Sequence, residues 1–260
     1  MKSQSPSSQG RRIFLTSSVF VLIAAPFLGS FMATAAARAP TGFALVFGRS
    51  ECRDCRHRLT FVDLVPIVSW LVLSGRCRHC RAIIGIFYPA AEIAALALTG
   101  IAVSILSGVD VMIACALGWT LLLLSLIDLR HQVLPDSLTL PLALLGLAVA
   151  WFDGYDMLLD GAVGCVTGFV LFYFISISYR RLRGREGLGL GDAKLFAAGG
   201  AWVAWQGLAS VVLVASVAAL MVAGLQAMRG SLRADNRIPF GLYLGPAIWL
   251  IWLIGPLYLT

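Results

Sequence analysis

Long apolar runs, separated by short segments rich in glycine or charged residues, make up most of the chain. The runs cover residues 13–37, 84–107, 111–128, 137–152, 157–178, 192–206, 208–228 and 239–258. A helix needs about 20 apolar residues to cross a bilayer, so the runs predict a bundle of transmembrane helices, although several are shorter than this. The separation at Gln206 and Gly207 is weak, and the pattern therefore predicts seven or eight crossings.

The composition supports the same fold class. Of the 260 residues, 59% are hydrophobic and only 13% are charged, whereas soluble proteins carry about 25% charged residues. A soluble fold of this size cannot bury so much apolar surface, so we predict an all-α polytopic membrane protein. The net charge of +7 comes from basic loops between the apolar runs. Such loops are typical of the cytoplasmic side of a membrane, and we do not expect a nucleic-acid partner.

The positions of the charges predict the orientation of the helices. Eight arginines lie between Arg38 and Arg81, and the positive-inside bias places this segment in the cytoplasm. The run 13–37 follows twin arginines and resembles an export signal, but the basic loop behind it predicts a retained first helix. Eight crossings from an outside N-terminus leave the predicted outside loops acidic, with Asp110, Asp153, Asp156 and Asp160.

Four cysteines in this cytoplasmic segment form two CxxC pairs separated by 21 residues, namely Cys52, Cys55, Cys77 and Cys80. Two such pairs can supply a closed tetrahedral shell of four thiolates, which predicts a structural zinc site. A pair of disulfides is the competing interpretation, and a reducing cytoplasm disfavours it. With no open coordination position, the metal should hold the segment together and not perform hydrolysis.

The segment around the cysteines has the features of a small domain that lies against the membrane. Apolar stretches at 61–70 and 83–88 flank the cysteine pairs, and the two halves form a weak internal repeat. The neighbouring arginines should offset the thiolate charge and face anionic lipid headgroups. The chain then divides into a tail and first helix (1–37), a cytoplasmic four-cysteine domain (38–83) and a transmembrane domain (84–260).

Two aspartates stand at the ends of apolar runs. Asp128 ends the run 111–128, and Asp192 begins the run 192–206 directly behind the turn Gly187-Leu188-Gly189-Leu190-Gly191. Ionisable groups at membrane depth are functional candidates by default, although either acid alone could be an interfacial residue or a helix cap. The predicted topology puts both at the cytoplasmic boundary, so the sequence predicts that they meet there.

A pair of adjacent carboxyl groups has a defined chemistry. Since both cannot ionise easily, they share a proton. The ionised carboxylate can then take a proton from water while the protonated one hydrogen-bonds a scissile carbonyl. This predicts peptide hydrolysis without a metal or a covalent intermediate. Gly189 and Gly191, which lack side chains, should let an extended substrate backbone approach Asp192 closely.

Three other charged residues have competing interpretations. Asp136 follows Pro135 and is predicted as the N-cap of the next helix, with support of the catalytic loop as the alternative. Glu92 is predicted to be an acid in the first turn of a helix, where it faces the dipole, with substrate binding as the alternative. Lys194 lies two residues after Asp192 and should point away from it, towards lipid phosphate or the domain surface.

Several motifs in order complete the pattern. They are Gly29-Ser30-Phe31, Arg38-x-Pro40, the two CxxC pairs, Tyr88-Pro89-x-x-Glu92, the stretch from Asp128 to Asp136, and Gly189-x-Gly191-Asp192. Together they resemble the bacterial prepilin peptidase family, integral-membrane aspartic proteases of the GxGD type. The resemblance covers about residues 25–258.

This resemblance implies a helical bundle in the bacterial inner membrane with a cytoplasmic zinc-binding insertion. It also implies that Asp128 and Asp192 are the catalytic aspartates, which remove the short basic leader from type IV prepilins or type II secretion pseudopilins on the cytoplasmic side. Many family members also N-methylate the new terminus with S-adenosylmethionine, an activity associated with the N-terminal part.

The departures from the family pattern all lie in that N-terminal part. Residues 32–36 read Met-Ala-Thr-Ala-Ala after Gly29-Ser30-Phe31, Leu64 replaces an asparagine, and Arg56 and Arg81 replace a small residue after each cysteine pair. They bear on the methyltransferase activity and leave the peptidase motifs intact. Two other classes stay open: a transporter that relays protons through intramembrane acids, and a zinc-stabilised anchoring protein without catalysis. A transporter should show inverted repeats and mid-membrane acids, and the sequence has neither.

Overall fold

The computed structural model describes residues 8–39, 50–52, 54–184, 189–229 and 239–257, and its regular structure in these ranges is helical. The helices are α1 (Ser8–Arg38), α2 (Val68–Val72), α3 (Phe87–Ile105), α4 (Val109–His131), α5 (Asp136–Asp153), α6 (Tyr155–Arg183), α7 (Leu190–Met228) and α8 (Gly241–Ile254). The chain forms two compact units, Met1–Leu123 and Leu124–Thr260. The predicted all-α class is confirmed.

Six of the helices in the described ranges, α1 and α3 to α7, are long and apolar enough to cross a membrane, and α8 is a shorter apolar helix. These helices make the chain an integral membrane protein. The eight predicted segments correspond to seven of the helices, because α7 contains two of them in its 39 residues. A straight helix of this length measures about 58 Å, roughly twice the thickness of the bilayer core.

Helix α7 is interrupted at Ala204, where φ is 55° and ψ is 179°. This break lies two residues before the predicted separation at Gln206. The chain therefore changes direction inside an otherwise continuous apolar stretch, which carries no proline or polar signal at Ala204 that would mark the break.

In the second unit, α7 packs against α5, α6 and α8. Its contact with α6 is made by backbone, because a Cβ built on Gly164 would contact the carbonyl oxygen of Gly200 and a Cβ on Gly200 would contact that of Gly164. Small residues allow this close approach of membrane helices. Near the start of α7, the ring of Phe196 stacks on Phe172 at a centroid distance of 4.1 Å.

In the first unit, α1 packs against α3. Gly29 of α1 lies directly against α3, since a Cβ at this position would lie 2.6 Å from the Cα of Glu92. The described part of the segment between α1 and α3 contains the short helix α2 and two isolated β-bridges, Glu51 with Arg58 and Arg76 with Ile83. These bridges position the cysteine pairs.

Candidate active site

Asp128 lies in the last turn of α4 and is 5% exposed. Its Oδ2 accepts a hydrogen bond of 3.2 Å from the backbone N–H of Leu242, at the start of α8. Helix α4 ends three residues later because Gln132 adopts a left-handed conformation with φ of 53°. The end of one helix and the start of another therefore enclose this carboxyl group.

Asp192 lies in the first turn of α7 and is partly exposed. Its Oδ2 accepts a hydrogen bond of 3.3 Å from the N–H of Gly189, and its own N–H donates to the Gly189 carbonyl at 3.1 Å. This reciprocal pair fixes the aspartate at the helix start. Gly187 and Leu188 of the predicted glycine-rich turn lie outside the described residues.

The two carboxyl groups meet at the start of α8. The backbone N–H of Gly241 interacts with both carboxyl groups, and Asp192 lies close enough to Asp128 for direct electrostatic repulsion. The second unit therefore brings together the two acids that the sequence singled out.

Leu134, which the sequence analysis did not identify, forms an apolar wall beside the pair. A Cβ on Gly191 would lie 3.1 Å from the Leu134 Cβ, and a Cβ on Gly241 would lie 3.3 Å from its Cδ1. A larger residue at position 191 would therefore press against Leu134. Gly189 is exposed, and a Cβ there would meet only the Asp192 carboxylate at 3.5 Å and the Gly191 nitrogen at 3.9 Å. Of the two predicted substrate-approach glycines, only Gly189 has an open face.

The prediction that Asp136 is the N-cap of α5 was wrong. Pro135 occupies the N-cap position of α5, and Asp136 is the first helical residue without a side-chain cap. Its carboxylate instead forms an ion pair with Lys194, whose Nζ lies 2.7 Å from Oδ1 and 2.8 Å from Oδ2. Lys194 was predicted to contact lipid phosphate or the domain surface. The pair ties the start of α5 to the first turn of α7, which carries Asp192.

Cys52, Cys55, Cys77 and Cys80 converge in the first unit, with all four sulfur atoms within 4.8 Å of one another. The Sγ atoms of Cys52 and Cys80 are 3.7 Å apart. Tetrahedral zinc with Zn–S bonds of about 2.3 Å separates its sulfurs by about 3.8 Å. All four thiols are free, which contradicts the disulfide alternative. The donor set and its spacing fit a zinc ion.

The two cysteine pairs have the same local fold, which explains the weak sequence repeat. The N–H of Cys52 donates to the His57 carbonyl, and the N–H of Cys77 donates to the Ala82 carbonyl five residues on. The rings of His57 and His79 lie 3.5 Å apart. Backbone N–H groups of Cys80 and His79 donate to the Cys77 sulfur and lower the pKa of this thiol to about 7, which favours the thiolate that a metal needs.

A buried acid connects the two halves of this domain. Asp63 accepts hydrogen bonds from the hydroxyl and the N–H of Thr60, at 2.7 and 3.1 Å, and from Arg78 at 2.8 Å. The Thr60 hydroxyl, together with the Thr60 N–H and the Arg78 charge, holds the pKa of Asp63 below its usual value. The carboxylate therefore stays charged and links the segment after the first pair to the second.

Glu92 is buried in the first unit, in α3, with 5% exposure. Its Oε2 accepts a hydrogen bond of 2.7 Å from the N–H of Ile67, and its carboxyl group also interacts with the side chain of Ser30. Ile67 precedes α2 and has a left-handed backbone with φ of 61°. The carboxylate thus connects α1, α2 and α3. Glu92 is the sixth residue of α3, which has no acidic residue in its first turn, so the prediction of a first-turn acid was wrong.

Two family models match the chain in succession. The model described as the bacterial peptidase A24 N-terminal domain covers residues 23–106, and that of the type IV leader peptidase family covers residues 115–224. A relative from Aeromonas hydrophila called prepilin leader peptidase/N-methyltransferase is 40% identical over 213 residues, which are 81% of this chain and 73% of the relative. This chain belongs to the type IV leader peptidase family.

Other curated relatives of this leader peptidase carry the same name. The protein from Burkholderia pseudomallei (strain K96243) is 40% identical over 206 residues, which are 79% of this chain and 67% of the relative. The protein from Pseudomonas aeruginosa is 36% identical over 212 residues, covering 81% and 73% respectively. No solved structure is significantly similar to the chain. The type IV leader peptidase model extends over both Asp128 and Asp192. The A24 N-terminal model extends over Glu92 and all four residues of the cysteine cluster.

Proposed function

We propose that this protein cleaves the short basic leader from type IV prepilins or type II secretion pseudopilins, at the cytoplasmic face of the bacterial inner membrane. The observation that carries the proposal is the meeting of the Asp128 and Asp192 carboxyl groups at one backbone N–H. The family match supports the substrate class. The arginine-rich segment between α1 and α3 supports the cytoplasmic location.

The pair acts with one proton between its two members. The ionised carboxylate accepts a proton from water, and the water oxygen attacks the scissile carbonyl carbon while the protonated carboxyl group hydrogen-bonds the carbonyl oxygen. The C–N bond then breaks, and the proton taken from water passes to the leaving amine. Two carboxyl groups are sufficient for this cycle.

Substrate approaches this pair from the exposed side of Gly189. An extended peptide can lie against a residue without a side chain, and Gly189 is open next to the Asp192 carboxylate. Gly191 contributes from within the site, because its lack of a Cβ lets Leu134 shield the carboxyl groups from bulk water. Substitution of Gly189 by Val should raise KM for prepilin; an unchanged KM would contradict this assignment.

The second proposed activity is N-methylation of the new terminus, with S-adenosylmethionine as the methyl donor, as the names of the relatives suggest. We assign Glu92 to binding the substrate of this step, since it is a buried carboxylate of the N-terminal part. Glu92→Gln keeps a hydrogen-bond acceptor for Ile67 and removes the charge. It should raise KM for methylation of a peptide that begins at the mature terminus, and an unchanged KM would contradict the assignment.

The four-cysteine domain binds one structural zinc and lies on the lipid surface. Zinc would be held by Cys52, Cys55, Cys77 and Cys80, and it would fix the two knuckles without taking part in hydrolysis. Exposed apolar side chains support the lipid contact, among them Phe61 at 93% and Ile83 at 81% exposure. Benzoylphenylalanine placed at Phe61 should crosslink to lipid acyl chains, whereas at Arg58 it should not; equal crosslinking at both would contradict the contact.

The peptidase proposal is tested by co-expression with a tagged prepilin, with cleavage followed by mass spectrometry. Asp128→Ala and Asp192→Ala should each abolish cleavage at an unchanged protein level. Asp153→Ala, which changes an exposed acid at the end of α5, should leave cleavage unchanged. Cleavage that survives either substitution in the pair would falsify the mechanism.

A further inference from the structure

The N–H of Gly241 is the one backbone donor of α8 that interacts with both carboxyl groups. The next residue, Leu242, donates only to Asp128, at 3.2 Å. Gly241 is the first residue of α8, so its N–H has no acceptor within that helix. The free donor of a helix start is thus used to hold two acids that come from separate helices, α4 and α7.

No side chain fits at this position. A Cβ on Gly241 would lie 2.8 Å from the Asp128 Oδ2 and 3.1 Å from its Cγ. On its other side it would lie 3.3 Å from the Cδ1 of Leu134, which is itself buried. The Asp128 carboxyl group is also surrounded, with 5% exposure. A methyl group at position 241 must therefore displace the carboxyl group from its place beside Asp192.

The backbone of Gly241 is held on both sides. The buried Ser125 hydroxyl, one turn before Asp128 in α4, donates to the Gly241 carbonyl at 3.4 Å. The preceding ring, Phe240, lies 6.1 Å from Phe172, which in turn stacks on Phe196 of α7. Contacts with α4, α6 and α7 thus fix the donor at a defined point.

We propose that Gly241 is a positioning residue of the peptidase, whose N–H sets the separation and orientation of the Asp128 and Asp192 carboxyl groups. This inference rests on the proposed peptidase mechanism. Its basis is the shared donor together with the absence of space for a Cβ. A displacement of about 1 Å at a catalytic group can cost 100-fold in rate, so Gly241→Ala should act on kcat and leave substrate binding nearly unchanged.

Two further glycine-to-alanine substitutions in the full-length protein serve as controls. In Gly199→Ala the new Cβ would lie 2.6 Å from the Cδ1 of Ile248, which disturbs the packing of α7 on α8 away from the carboxyl groups. In Gly224→Ala the Cβ meets nothing within 4 Å. Gly199→Ala shows what disturbed packing between α7 and α8 does to the enzyme when the carboxyl groups are not touched. Gly224→Ala shows the effect of replacing a glycine by alanine where no neighbour is contacted.

The experiment measures kcat, KM, melting temperature and the pH dependence of prepilin cleavage for the purified variants. Gly241→Ala should lower kcat by about 100-fold, change KM by less than about twofold, and shift the acid limb of the pH–rate profile. Gly199→Ala should lower the melting temperature and keep the wild-type profile. Gly224→Ala should keep the wild-type kcat, KM and profile, with a melting temperature equal to or slightly above that of wild type. A Gly241→Ala enzyme with wild-type kcat, or with a lower kcat and an unshifted profile, would overturn the inference.

The outcome separates this inference from the mechanism on which it rests. If Asp128→Ala and Asp192→Ala are inactive while Gly241→Ala cleaves normally, the aspartate mechanism stands and the positioning role is wrong. If cleavage survives loss of either aspartate, the mechanism itself is wrong, whatever the behaviour of Gly241→Ala.

Discussion

Two arginines in the four-cysteine domain have backbone conformations that disfavour any residue with a Cβ. Arg56 has φ of 54° and Arg81 has φ of 61°. Each directly follows the second cysteine of its pair, and its N–H donates to the carbonyl of the first cysteine, at 2.9 Å for Arg56 and 3.1 Å for Arg81. The left-handed conformation closes the knuckle, which explains why a small residue was expected at both positions.

Replacing either arginine by glycine should stabilise the domain. A left-handed conformation costs a non-glycine residue about 1–2 kcal/mol, and glycine removes this cost. Glycine also adds conformational entropy to the unfolded chain, which reduces the gain in stability by about 0.5–1 kcal/mol. Arg81→Gly should therefore stabilise the domain by about 0.5–1 kcal/mol. The measurement is the chelator concentration needed to release zinc, which should rise.

Arg58→Gly is the matched control for that substitution. Arg58 is in the same domain and pairs with Glu51 in an isolated bridge, but it is not among the residues with positive φ. Glycine there should give no gain, or a loss of about 0.5–1 kcal/mol. Equal stabilisation by both substitutions would show that removal of positive charge, and not backbone strain, is responsible.

At the residue scale, spacing along the chain identified the charged groups and the cysteines that could hold a metal. The cysteine pairs and the two aspartates stand out because a charge or a thiol is rare in an apolar context. Gly241 and Leu134 do not stand out, since a glycine and a leucine are ordinary in an apolar run. Their roles depend on which backbone lies opposite, and that is set by tertiary packing.

At the scale of helices, α6 and α7 approach each other backbone to backbone. Gly164 and Gly200 face each other, each filling the place where the other would carry a Cβ. Gly168 continues the contact along α6, where a Cβ would lie 2.9 Å from the Phe196 carbonyl oxygen. Because Phe196 is one turn after Asp192, this interface also positions the start of α7.

Gly164→Ala should separate these two helices. The new methyl group meets backbone atoms of α7, which cannot move aside as a side chain can, and overpacking of this kind costs about 1–3 kcal/mol. The melting temperature in detergent should fall, and cleavage should fall with it. In contrast, Gly224→Ala in α7 meets no neighbour and should stabilise the protein by up to about 1 kcal/mol through helix propensity. A Gly164→Ala protein as stable as wild type would contradict the packing argument.

Hydropathy predicted that the helices exist, but it did not predict where each helix begins, breaks or ends. The break in α7 is at Ala204, and alanine is the residue that favours helix most, so local propensity opposes the observed conformation. The break must be imposed by packing. One candidate source is the ring nitrogen of Trp205, which donates to Asp160 at 3.0 Å, together with Gln206, which donates to the same carboxylate at 2.9 Å. These bonds fix the two residues after the break to α6.

At the scale of the whole molecule, the two candidate sites lie in different units. The cysteine cluster and Glu92 belong to residues 1–123, and the carboxyl pair belongs to residues 124–260. Hydropathy and charge predicted the membrane fold and the cytoplasmic segment. The division into three parts at residues 37 and 83 and the orientation of the helices stay predictions.

The cysteine cluster leads to a prediction about the whole protein. Four thiolates within 4.8 Å of one another would repel strongly unless a cation neutralised them. In the described part of the domain, Phe61 and Ile83 on either side of the cluster are exposed, so these apolar residues do not form a core that could replace the ion. Metal binding should therefore supply much of the folding free energy of this domain. The purified protein should contain about one zinc per chain, which Cys77→Ser removes.

Loss of the zinc should affect the two units differently. Loss of zinc by chelation should increase proteolysis of the segment between α1 and α3 and reduce N-methylation of a peptide that begins at the mature terminus. Cleavage should decline less, because Asp128 and Asp192 are positioned by α4, α7 and α8. Cys115→Ser, which changes a buried cysteine outside the cluster, should keep the zinc. Protein purified without zinc, or protease resistance unchanged by chelation, would contradict a structural metal, since the cluster would then be stable with its thiols alone.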